Sequence, residues 1–62
     1  MKIRWLVEGH TQQAVSLERA RELLQEAAQE NLIIDDETQQ LAKIEGLTEK
    51  SRVTVFPIVK GG

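Results

Sequence analysis

Cysteine is absent from the chain, which excludes disulfides, thiolate metal sites and thiol nucleophiles together and leaves the fold to depend on packing alone. Any sulfur chemistry in which the protein takes part must use sulfur brought from elsewhere. Tyrosine is absent too, and Trp5 and Phe56 are the only aromatics counted, so Ile, Leu, Val and Ala must build most of the core. Apolar runs such as Trp5-Leu6-Val7 and Leu32-Ile33-Ile34 are short, far below the ~20 residues of a membrane-spanning helix. Nothing resembles a secretory leader, and a cytoplasmic address is the expectation. There is no excess of positive charge either. Eight Lys plus Arg stand against ten Asp plus Glu, for a net charge of −2. With the signs interspersed, neither a nucleic-acid partner nor a membrane anchor is expected. A chain of 62 residues is read as one domain, residues 1–62. It buries only ~60% of its unfolded surface, enough for one core and hardly for a deep substrate cavity as well. A monomeric enzyme with its own pocket is therefore not expected.

What is present is organised by hydrophobic period. In residues 2 to 8, Ile3, Trp5 and Val7 alternate with Lys2, Arg4, Leu6 and Glu8, which predicts a strand with one buried side and Trp5 in the core beneath a helix. Gly9-His10-Thr11 reads as a turn. Residues 12 to 17 read as a second short strand, closing a hairpin. From residue 18 to about residue 30 the period becomes helical, with Leu17, Ala20, Leu24 and Ala27 or Ala28 on one stripe and Leu23 beside them. Ser16 is the expected N-cap, Glu18 suits the positive end of the helix, and Asn31 is the expected stop. Leu32-Ile33-Ile34-Asp35 reads as a short buried strand ending in the turn Asp35-Asp36-Glu37. Residues 36 to 52 read as an irregular connection closed by Gly46, in which residues 39 to 44 suit either a helical turn or a ragged edge strand. Regular alternation returns at Arg52-Val53-Thr54-Val55-Phe56, with Val53 and Val55 on one face and Thr54 and Phe56 on the other. Pro57 cannot donate to a ladder, so pairing is expected to weaken there.

The expected class is α+β, a small mixed sheet with one helix across it. The first and last strands, as the most regular and apolar, belong in its middle. A helix-containing crossover separates them, so they run parallel.

The sequence closes on Val59-Lys60-Gly61-Gly62. A terminal glycine pair can be an ordinary frayed end. Alternatively, a backbone without Cβ atoms can thread a narrow channel, and four extended residues reach ~13 Å, enough to enter a partner's active site. The group delivered would be the Gly62 α-carboxylate. A carboxylate is a poor electrophile, so its expected chemistry is activation by a nucleotide-using partner to an acyl-adenylate, which a sulfur or nitrogen nucleophile attacks.

Val53-Thr54-Val55-Phe56-Pro57-Ile58-Val59-Lys60-Gly61-Gly62 resembles the ending of the β-grasp sulfur carriers, the molybdopterin synthase small subunit and the thiamine-pathway carrier. The molybdopterin branch commonly ends in a hydrophobic strand, Phe-Pro-Pro-Val, one variable residue and Gly-Gly. Ile58 stands here at the second Pro. The segment from Leu47 to Val55 is also similar in pattern to the last strand of ubiquitin and its approach. Two departures are visible: Glu49-Lys50-Ser51 replaces the usual Asp-Gly-Asp turn, and the stretch from Asp35 to Gly46 is shorter than in most relatives. The resemblance implies a ubiquitin-like β-grasp fold and a set of roles. Gly62 would be adenylated by an activating enzyme using ATP and converted to a thiocarboxylate, with Gly61 keeping the channel passage free of side chains. Phe56, Pro57, Ile58, Val59 and Lys60 would meet the activating enzyme or the sulfur-acceptor enzyme. No cofactor bound by the chain itself and no catalysis by the chain alone are implied.

Other residues carry less. His10, the only histidine, has no catalytic neighbour at useful spacing. Asp35-Asp36-Glu37 lacks the alternating ligands of a calcium loop. Glu18, Glu22, Glu26 and Glu30 fall at steps of four along the helix as an acidic ridge, which reads first as a solvated face and second as a steering surface. Two other function classes share the composition: a ubiquitin-like modifier joined through Gly62 to lysines, and a small interaction domain whose glycines are incidental.

Overall fold

The computed structural model describes residues 1–6, 9 and 11–58. It contains strands β1 (Lys2–Trp5), β2 (Thr11–Ala14), β3 (Asn31–Asp35) and β4 (Arg52–Pro57), helix α1 (Leu17–Ala27) between β2 and β3, and a short 3-10 turn at Ile44–Gly46. The strands form one mixed sheet in the order β2-β1-β4-β3. β1 pairs antiparallel with β2 and parallel with β4, and β3 pairs antiparallel with β4. The expected α+β class and the central, parallel placement of the first and last strands are thus observed.

Alternation explains the sheet. Ile3, Val53, Val55 and Ile33 point to one face and are buried there with Ala20 and Leu24 of α1 and with Leu47. The side chains of Ile3, Leu24, Val53 and Val55 are fully buried, each stabilising the fold by about 1.5–3 kcal/mol relative to an exposed position. Trp5 differs from expectation: it is half-buried against this cluster. It sits at the end of β1, where its indole Nε1 reaches the edge and donates to Gln13 Oε1 at 3.0 Å. An indole N–H needs such a partner, which draws the ring away from a fully apolar site.

The hairpin is shorter than its sequence pattern. β2 ends at Ala14, and Leu17 opens α1 where the alternation had placed it in the strand. Ser16 decides this boundary. Its extended backbone (φ −66°, ψ 157°) and its Oγ, which accepts from Arg19 N at 3.2 Å, cap the helix, satisfying a donor that the first turn leaves unpaired. Gly9 has φ 79°, a left-handed conformation that favours glycine. The expectations for Val7, Glu8 and His10 lie outside the described residues.

α1 ends at Ala27, before the expected limit near residue 30, and Asn31 belongs to β3. Its side chain still serves the helix end, since Nδ2 donates to the Ala27 carbonyl at 3.0 Å. Within β3, Leu32 is corrected from buried to 43% exposed. Ile33 points to the helix side, so its neighbour in the strand must point away. Between β3 and β4 the chain is more ordered than an irregular connection. Asp35 Oδ1 accepts from Glu37 N and Thr38 N at 2.8 and 3.4 Å. Leu41 forms a single antiparallel bridge with Ile34, the ragged-edge alternative of the sequence reading. Gly46, expected to close an irregular connection, instead ends a 3-10 turn, its N–H donating to Lys43 O at 2.9 Å. A turn from Thr48 to Ser51, held by Thr48 N donating to Ser51 Oγ at 2.8 Å and Ser51 N to Thr48 O at 3.0 Å, launches β4.

Candidate functional site: the open face of the sheet

α1 covers one face of the sheet, so β4 presents Arg52, Thr54 and Phe56 to the other. The register aligns their neighbours: Leu32 stands opposite Phe56 and Ile34 opposite Thr54, while Arg4 stands opposite Thr54 and Lys2 opposite Arg52. Paired residues project to the same side of a sheet. The bridge to Ile34 brings Leu41 to this face as well. The open face therefore has two halves. Leu32, Ile34, Leu41 and Phe56 make one half apolar, and Lys2, Arg4 and Arg52 make the other cationic.

Phe56 is 39% exposed and Leu41 66%. Ile58, two residues beyond Phe56, is 42% exposed, and Pro57 between them is also exposed. These exposed large apolar side chains are gathered on one surface of the body and not scattered singly over it. At the centre Thr54 is buried to 5% exposure, and its hydroxyl donates to Asp36 Oδ1 at 2.7 Å. A shallow depression of about 510 Å³ lies over this point, walled by Arg4 and Leu6 on one side, Ile34 and Phe56 on another, and Asp36 and Gln39 at its border. Gln39 holds φ 58° in the tight loop in which its N–H donates to Asp35 O at 2.7 Å.

Of the residues singled out from sequence, Phe56, Pro57 and Ile58 are thus grouped at the exit of the central strand. Val59, Lys60, Gly61 and Gly62 lie outside the described residues. Glu18, Glu22 and Glu26 are exposed along α1, whereas Glu30, expected on the same ridge, is exposed in the turn beyond the helix end at Ala27. Arg19 pairs with Glu22 at 3.2 Å, the one ion pair among the described residues. Leu32 and Leu41 were missed as surface residues. The signal for Leu32 was available in its alternation with Ile33, whereas a one-residue bridge leaves none for Leu41. No protein-family model, no curated protein and no solved structure matches the chain.

Proposed function

We propose that the chain is a ubiquitin-like β-grasp sulfur carrier, with the reacting carboxylate on Gly62. The observation that supports this reading is the position of β4. A central strand, paired with β1 on one side and β3 on the other, is anchored by fully buried Val53 and Val55. It leads through Phe56, Pro57 and Ile58 directly toward Val59-Lys60-Gly61-Gly62. A tail rooted in the most strongly paired strand has a fixed base, and its glycines suit passage into a narrow channel. The sheet order and the single helix are compatible with the β-grasp arrangement that the tail motif implies.

In this reading a Gly62 carboxylate oxygen attacks the α-phosphorus of ATP on the activating enzyme, and pyrophosphate leaves. A sulfide-equivalent nucleophile supplied by a partner then attacks the carbonyl carbon, AMP leaves, and a thiocarboxylate remains for the sulfur-acceptor enzyme. The chain has no thiol of its own, so the sulfur comes entirely from the partner. Phe56, with Pro57 and Ile58, docks the domain, Gly61 and Gly62 enter the site, and Val59 and Lys60 span the distance between them.

The test is ATP–pyrophosphate exchange with the adenylating enzymes of molybdopterin and thiamine synthesis from the source cell, joined to intact-mass measurement of the protein isolated from that cell. Exchange that requires Gly62, and a mass raised by one oxygen-to-sulfur replacement, are expected. Exchange that persists without Gly62, or Gly-Gly branches on lysines of other proteins in place of the mass change, overturns the sulfur-carrier reading.

A further inference from the structure

The charge on the two sides of the molecule is unlike its total. The net charge is −2, yet the open face carries Lys2, Arg4 and Arg52 on adjacent strands, aligned by register with one another or with Thr54. All three are exposed. Among the described residues none of them has a carboxylate within ion-pairing distance. Asp35 and Asp36 line the depression beside Arg4, where Asp36 accepts the Thr54 hydroxyl, and Glu49 lines a second depression with Lys2 and Arg52. The acidic ridge of α1 lies on the far side of the sheet. A face that is apolar in one half and in the other carries three cations without an ion pair among the described residues, backed by an acidic helix, has an electrostatic direction as well as an apolar surface.

We propose that this face docks a protein surface whose apolar residues are bordered by Asp and Glu carboxylates, the apolar part covering Leu32, Ile34 and Phe56 and the carboxylates meeting Lys2, Arg4 and Arg52. Charge complementarity sets the choice of occupant. Opposite charges across an interface steer encounter and fix orientation, and like charges reject wrong partners. Here they would turn the sheet toward the partner and the acidic helix away from it. Arginines suit that task, because the guanidinium is weakly hydrated and forks onto carboxylates in two hydrogen bonds. Three cations on an acidic protein are a poor match for a polyanion such as RNA, whose binding rests on many phosphate contacts. The apolar half would have nothing to cover in such a complex. The proposal rests on the carrier reading only for the identity of the partner, which would be the activating enzyme. The chemistry of the face stands separately.

The test uses the full chain, isotope-labelled, and two synthetic amphipathic helical peptides sharing one Leu/Ile face, flanked by Glu in one and by Lys in the other. The Glu peptide is expected to shift the amide resonances of Arg4, Leu32, Thr54 and Phe56 and to bind roughly tenfold tighter than the Lys peptide at low salt. That preference should shrink as screening rises and reverse in R4E/R52E. Because both arginines are exposed, the fold should survive, and R4Q/R52Q, which should abolish the preference without reversing it, guards against a folding artefact. Equal affinities, no binding by either peptide, shifts confined to α1, or preference for an oligouridylate over the Glu peptide each overturn the proposal. Should no adenylating enzyme support exchange while the peptide preference holds, the carrier reading falls and the docking surface stands.

Discussion

Thr54 is a polar residue in a nearly closed position on the side of the sheet that faces solvent. Its hydroxyl has found one strong acceptor, Asp36 Oδ1 at 2.7 Å. Replacing it with valine keeps the β-branched shape that a central strand favours and deletes only the hydrogen bond. Asp36 is exposed, so its carboxylate can recover water, and the cost should be modest. Thr54→Val is expected to lower stability by about 1 kcal/mol, read as a reduced urea midpoint with an unchanged m-value. A larger loss would show that the bond also holds the loop from Asp35 to Gln40. Individual residues were legible where one rule acted alone. Val53 and Val55 followed from strict alternation. Trp5 did not, because its polar N–H and its place at a strand end pull against its apolar ring.

At the scale of elements, α1 has 11 residues, shorter than the ~12–15 at which isolated helices become even marginally stable in water. It holds through its buried stripe, Ala20 and Leu24, and through its cap. Ser16→Ala removes the acceptor for Arg19 N and should cost about 1 kcal/mol, whereas Ser16→Asp should retain most of it. Equilibrium denaturation of the three proteins checks this, with early loss of amide protection in the first helical turn as a local sign. Elements were readable from sequence where their period was long enough to repeat. β1, α1 and β4 met that condition. β2 did not, because four exposed residues (Thr11, Gln12, Gln13 and Ala14) make no buried pattern, and the apolar spacing through Val15 and Leu17 ran on across the cap. The connection between β3 and β4 was unreadable for a different reason: its order comes from single side-chain bonds and one bridge, not from a repeat. Of the candidate site, Phe56 on the open face was legible from β4 alone. The halves of that face required the register between strands, which alternation within one strand cannot supply.

For the molecule as a whole, stability should be graded across the sheet. β1 and β4 are paired on both sides and carry three of the four fully buried large side chains, Ile3, Val53 and Val55, while β2 is an exposed edge and the Leu41 bridge is a single pair. Regions with few buried contacts open first. Native-state hydrogen exchange is therefore expected to show the greatest protection at Ile3, Val53 and Val55 and the least in β2 and around Leu41. Uniform protection across the strands would mean that the sheet opens only as one unit.

The parallel contact between β1 and β4 also bears on how the polypeptide is born. During translation the hairpin and helix emerge early, but β1 has no neighbour on its inner side until residues 52–57 leave the ribosome. Ile3 then lacks its cross-strand neighbour Val53 until β4 arrives. A product truncated before Arg52 would expose a half-made sheet, the kind of unpaired apolar edge that draws chaperones or aggregates.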